Sequence, residues 1–161
     1  MLFRSAGHGP ATPADLATWS GLTPTAAKEG FAAIEAGLTQ VRIGADPAWI
    51  LAGSPATPGR AGSGVRLLGH FDNYLLAYRN RALSVPPEHE AEIQTGGGFT
   101  MPAVLLDGWA IGIWRQERTP AGILVDVRPF GRPPARALPG LRAEVADLGR
   151  FLDEPTTLRV P

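Results

Sequence analysis

Apolar residues recur at helical spacing in the first part of the chain and at strand-like spacing in the last. Thr12 followed by Pro13 is an N-cap with proline at the first helical position, and Asp15 complements the helix N-terminus. Ala14, Leu16, Ala17 and Trp19 supply the apolar side of this helix, and Ser20-Gly21 stops it. Thr23-Pro24 is a second start signal. Ala27, Phe31 and Ile34, at spacings of four and three, share one face of a helix predicted over 24–36, with Gly37 at the C-terminal cap position. Leu38 to Ile43 alternates in part and is rich in β-branched residues, Gly44 to Pro47 is a turn, and Trp49-Ile50-Leu51 is a second strand. Two short helices across a glycine turn form a helix-turn-helix pattern, and with the β-hairpin they read as a partial winged helix. The front helix of such a unit would fall on Leu2 to Ala6, a stretch too short to provide it.

Gly53 to Gly64 holds too little apolar surface to offset the entropy of ordering it. The predicted organisation is a partial winged-helix unit over 1–53, a linker over 54–64 and a second unit over 65–161. The second unit opens with Val65 to Leu68. Phe71, Tyr74, Leu75 and Tyr78 fit a short helix, Pro86 to Glu92 a polar connector or short helix, and Gly96 to Gly98 a flexible segment. Two apolar runs, 103–106 and 109–114, flank Asp107-Gly108, the strongest local hairpin signal in the chain. Pro120-Ala121-Gly122 turns into Ile123 to Val127, so at least three antiparallel strands follow one another. That predicts a small antiparallel sheet or β-barrel-like unit with flanking helices. Leu141, Val145, Leu148 and Leu152, at spacings of four, three and four, predict a C-terminal helix after a connector rich in proline and arginine. The fold class is α+β.

Composition narrows the chemistry. Of 161 residues 44% are hydrophobic, which suits a folded chain of one ordinary domain or two small ones. Lys plus Arg 15 balances Asp plus Glu 15, so only a local patch, and not global charge, would attract nucleic acid. Fourteen of the basic residues are arginine and one is Lys28. Cys 0 removes disulfides, thiolate nucleophiles and cysteine-based metal sites. His8, His70 and His89 have no close metal-ligand spacing, and neither metal nor cofactor is expected. No apolar run approaches the roughly 20 residues of a membrane span. Met1 to Gly9 lacks the apolar core of a secretory signal, so a cytoplasmic location is the default expectation.

Three stretches occur together in order: GPATPADLATWSGLT (9–23), LLGHFDNYLLAYRNR (67–81) and GGGFTMPAVLLDGWAIGIWR (96–115). They resemble the C-terminal part of the bacterial winged-helix DNA-binding-domain family, which includes DNA glycosylases that release alkylated bases and unhook interstrand crosslinks. The resemblance extends over roughly residues 3 to 152. It implies tandem winged-helix modules with a β-barrel-like end, double-stranded DNA as partner, and a role in DNA repair. In the glycosylase members catalysis is attributed to a Gln-x-Gln or Gln-x-Asp motif in the front part of longer chains. Gln40, Gln94 and Gln116 are the glutamines here, and none is followed two positions later by Gln or Asp. No catalytic residue carries over, and Gly97 stands where the family usually has Asn between glycines. The resemblance implies a DNA-binding protein without catalysis of its own. The alternatives are a C-terminal portion acting with a separate N-terminal half, or an interaction module that binds a protein partner and no DNA.

Thr25 and Lys28 are the candidate DNA contacts on the second helix, whose N-terminal residues would read a groove. Glu29 and Glu35 share that helix, and residues 1–55 carry one more acidic than basic group, which favours a packing role. Arg79 and Arg81 are candidate phosphate donors, with Asp72 two helical turns before Arg79 as a structural ion-pair partner. Trp109 directly after the hairpin turn is a candidate stacking residue, and Trp114 a core residue. Arg115 would form a basic edge. Gly96 to Gly98 lacks the Gly-Lys-Ser/Thr continuation of a phosphate loop, Gly62-Ser63-Gly64 lacks a strand-to-helix context, and His70 has no nucleophile motif beside it. His89 among Glu88, Glu90 and Glu92 reads as a solvated acidic face.

Overall fold

A computed structural model describes residues 7–55 and 64–161. They form two compact units, one of residues 7–55 with Asn73–Asn80, the other of residues 64–72 with Arg81–Pro161. The stretch Leu2 to Ala6 and most of the expected linker, 56–63 with Gly62 and Ser63, lie outside the described residues. Among the described residues no helix is long and apolar enough to cross a membrane.

In the first unit α1 (Pro13–Ser20) and α2 (Pro24–Ala32) start as their sequence signals dictate. The Thr12 hydroxyl accepts the Asp15 N–H at 3.2 Å, and the Asp15 carboxylate accepts the Thr12 N–H at 2.8 Å, a reciprocal cap that satisfies otherwise orphaned donors. Gly21 closes α1 at φ 71°, donating its N–H to the Ala17 carbonyl. The second helix is shorter than expected. Ile34 leaves helical geometry at φ −117°, and a 3-10 turn, Glu35–Gly37, takes the place of a glycine-capped helix end. Then β1 (Leu38–Ile43) pairs antiparallel with β2 (Asp46–Leu51), Leu38 opposite Leu51. Leu16, Ala27 and Phe31 form one buried cluster, with Leu38 and Trp49 packed on it and the Phe31 and Trp49 rings edge-on at 6.1 Å.

The helix expected through Tyr78 is reduced to α3 (Asn73–Leu76). Phe71, at φ 57°, sits in the left-handed region that a bulky L-residue rarely enters, so no helix can pass through it. Asp72 and Arg79 therefore do not lie two turns apart on one helix face.

The second unit is an open five-stranded sheet in the order β3 (Val65–Leu68), β6 (Ala103–Leu106), β7 (Trp109–Thr119), β8 (Gly122–Pro129), β9 (Thr156–Arg159). Among the described residues it does not close into a barrel: β3 and β9 are its edges. Nor is it wholly antiparallel, since β9 pairs parallel to β8 after the crossover α5 (Ala137–Leu152). Asp107 and Gly108, both at positive φ, make the β6–β7 turn that their sequence predicts. A small two-stranded ribbon, β4 (Gln94–Gly96) with β5 (Phe99–Thr100), follows the 3-10 turn Pro87–His89 and the short helix α4 (Glu90–Ile93).

One face of the sheet packs on α5. Val65, Val104, Leu106, Ile123, Val125 and Val127 meet Ala137, Leu141 and Val145 in one buried cluster. Close approach is built in at Gly140, where a Cβ would stand 2.7 Å from Val65 Cγ2, and at Gly112, where it would stand 2.6 Å from the Arg128 carbonyl oxygen. The opposite face of the outer strands is polar: Arg115 lies across from Asp126, and Asp126 across from Arg159.

Candidate nucleic-acid interface

In the first unit, α2 presents Thr25, Lys28 and Glu29 to solvent because the burial of Ala27 and Phe31 turns that face outward. Lys28 has no carboxylate partner among the described residues. Arg79 is exposed as well, and its position is fixed through its backbone: its N–H donates to Asp15 Oδ1 at 2.8 Å. The Tyr78 hydroxyl donates to the His8 carbonyl at 3.0 Å, a second tie in the same segment. Asp15, which already caps α1, thus also accepts from this segment.

The other arginine candidates are in the second unit and are engaged. Arg81 lies 3.5 Å from Glu90 with its side chain only 11% exposed. Arg115 donates to Asp126 at 3.0 Å, and Arg159 donates to the other oxygen of the same carboxylate at 2.8 Å. The Arg159 hydrogen bond and then that of Arg115 hold the Asp126 carboxyl down at about 2. Asp107 is lowered too, first by the Gly64 N–H and then by Arg136. Trp109 is 40% exposed beside the β6–β7 turn, whereas Trp114 packs on the core and donates its indole N–H to the Leu68 carbonyl at 2.8 Å.

A second aromatic site has no counterpart among the sequence candidates. Gly96, Gly97 and Gly98 are all at positive φ (101°, 59° and 78°), which makes them the tip of the β4–β5 ribbon; only glycine takes that path without strain. Directly after the tip Phe99 stands 41% exposed, its ring 5.0 Å from that of Phe71, which is 50% exposed. His70 lies 5.0 Å from Phe99, its Nδ1 3.2 Å from the Thr100 carbonyl. On the same ribbon the Gln94 Oε1 and Thr100 Oγ1 atoms are buried without hydrogen-bond partners among the described residues. The glycine run was the available sequence signal. Left-handed Phe71, the residue that brings the two rings together, breaks an apparent helical periodicity and left none.

His89 is not a member of a solvated acidic face. Its ring stacks on Phe130 at 4.2 Å and meets Glu92 at 2.7 Å, and Glu92 in turn accepts from Arg128 at 2.8 Å. No group of residues suited to hold a metal occurs among the described residues.

Residues 4–151 match the family model for AlkZ-like DNA glycosylases. The interstrand DNA cross-link repair glycosylase of Streptomyces sahachiroi is 30% identical over 119 residues, which is 66% of this chain and 30% of that protein. Among solved structures, the Streptomyces sahachiroi DNA glycosylase AlkZ shares the fold with a TM-score of 0.74 at 24% identity, over 94% of this chain and 42% of that one. The chain therefore spans less than half the length of either relative. With a single family model running from before α1 to the end of α5, the chain belongs to the AlkZ-like DNA glycosylase family.

Proposed function

We propose that this chain is a DNA-binding part of a DNA-repair system, holding double-stranded DNA and stacking on disturbed bases without performing base release itself. The observation that carries the reading is the exposed Phe71–Phe99 pair, in which Phe99 directly follows the glycine tip of the β4–β5 ribbon and Phe71 comes from the turn after β3. Two half-exposed rings in contact are costly unless a partner covers them, and bases exposed at a lesion offer flat apolar faces of the right kind. The first unit, with its two helices and β-hairpin, serves as a partial winged helix. Thr25, Lys28 and Arg79 contact phosphates there, and Trp109 and Arg115 lie on a secondary contact surface. Arg81 acts chiefly as the structural partner of Glu90. The Gln-x-Gln or Gln-x-Asp sequence to which the family resemblance attributes base release does not occur in residues 1–161. The relative named for interstrand cross-link repair supports crosslinked DNA as the target class.

The test is titration of a duplex carrying 2-aminopurine opposite an abasic site, followed by fluorescence and anisotropy. Binding with a rise in 2-aminopurine fluorescence is expected, and the rise disappears in Phe71→Ala with Phe99→Ala while phosphate-driven binding persists. An unchanged rise in that variant removes the aromatic pair from the interface. Release of alkylated bases by the chain alone overturns the non-catalytic assignment.

A further inference from the structure

Arg132 and Arg142 stand apart from the other arginines of the second unit. Every other described arginine there meets a carboxylate, whereas these two have no ion-pair partner among the described residues. Both line the same cleft, a space of about 540 Å³ beside the start of α5. The rest of its lining is apolar, with Pro134, Leu138, Leu158 and Val160 prominent. Leu138 is 38% exposed although it lies on a helix whose neighbouring residues Ala137 and Leu141 are fully covered. The first turn of α5 holds no acidic residue, so no carboxylate there offsets the positive rim, and the carboxylates further along, Glu144 and Asp147, are paired with Arg66 and Arg150. Leu158 belongs to β9, an edge strand of the sheet.

Two unpaired guanidinium groups over an apolar floor ask for an occupant with both anionic and apolar parts. A duplex backbone supplies phosphates but nothing to fill the floor between Leu138, Leu158 and Val160. A peptide with an aliphatic or aromatic side chain between carboxylates supplies both, the carboxylates meeting the arginine forks and the apolar side chain leaving water. We propose that this cleft docks an acidic segment of a partner protein through one apolar anchor side chain, with Arg132 and Arg142 as the clamp on its carboxylates. This site is separate from the Phe71–Phe99 pair and does not depend on DNA binding.

The probe is a fluorescein-labelled peptide with one leucine flanked by glutamates, titrated into the full chain and followed by anisotropy. Saturable binding is expected. It weakens about tenfold or more in Arg132→Glu with Arg142→Glu, and by a similar factor when the leucine of the peptide is replaced by serine. The single changes Arg132→Gln and Arg142→Gln weaken it by less than the double reversal. If the double reversal fails to fold, the serine peptide and the two single variants decide the matter on intact protein. No saturable binding, or equal binding of leucine and serine peptides, overturns the proposal. Displacement of the peptide by duplex DNA, with an equal loss of DNA affinity in the arginine variants, overturns it in favour of a phosphate site.

Discussion

The second unit buries six sheet residues and three helix residues in one contiguous cluster, whereas the first clusters Leu16, Ala27 and Phe31 beside a partly exposed Trp49 and buries Ala11, Ala48, Ile50, Leu75 and Ala77 as well. At roughly 1.5–3 kcal/mol for each large apolar side chain removed from water, the larger cluster is a major favourable contribution against the entropy of ordering the second unit. The first unit adds a network of polar ties to its smaller apolar cluster. Asp15 accepts from Thr12 twice, through the N–H at 2.8 Å and the hydroxyl at 2.7 Å, and from the Arg79 N–H at 2.8 Å. The charges differ in the same sense. Arginines of the second unit are mostly held by neighbouring carboxylates, while Lys28 and Arg79 of the first are exposed and without an ion-pair partner among the described residues. A high arginine count is therefore a poor guide to phosphate affinity in this protein, because ion pairing within the sheet unit has already engaged most of the guanidinium groups.

Leu141→Ala strikes the larger core at a residue only 1% exposed and is expected to cost about 3 kcal/mol in denaturant unfolding. A cost below about 1 kcal/mol would mean that this core is not what holds the unit. Asp15→Ala leaves the Thr12 and Arg79 N–H groups without their acceptor and is expected to cost about 2 kcal/mol. Amide exchange should accelerate at Leu16, Ala27 and Arg79 and stay unchanged at Val125; acceleration at both places would show that the units unfold together. In DNA titrations Lys28→Ala and Arg79→Ala should each lower the salt slope by about 1, and Arg115→Ala should leave it nearly unchanged. The reverse ranking would show that the Asp126 pair opens to engage phosphate.

The smallest effect concerns Asp126. Its carboxyl is held at about 2 by Arg159 and Arg115, so the folded state keeps it ionised where the unfolded chain would protonate it. The stability it contributes is fully present above about pH 4 and is lost as pH falls through about 2. Asp126→Asn should flatten that part of an acid-unfolding curve and change little at neutral pH, where exposed pairs of this kind contribute modestly.

Elements whose signals are local were readable before the fold was known. Thr12 and Thr23 cap the helices they announce, Asp107-Gly108 turns the hairpin, and Leu141 and Val145 mark the buried face of α5. The misses have non-local causes. Thr156–Arg159 contains a single apolar residue, and it becomes a strand only because α5 returns the chain alongside β8. Phe71, Tyr74 and Tyr78 imitate a helical face, yet the backbone reverses hand at Phe71. Of the six residues singled out for DNA contact, Arg81 and Arg115 acquire carboxylate partners 9 and 11 positions away in sequence, and pairing of that kind has no signature in composition.

The hydrogen bond from the Arg79 N–H to Asp15 joins residues 64 positions apart, and Asn73–Asn80 belongs to the first unit although it follows β3 of the second. The polypeptide thus leaves its leading module, begins the next one and returns to finish the first. A protease cut between Pro55 and Gly64 would not liberate an intact amino-terminal piece, because the eight residues that complete it would remain on the other fragment. Recombination or gene shuffling at that seam would meet the same obstacle, so the two modules are expected to be inherited together.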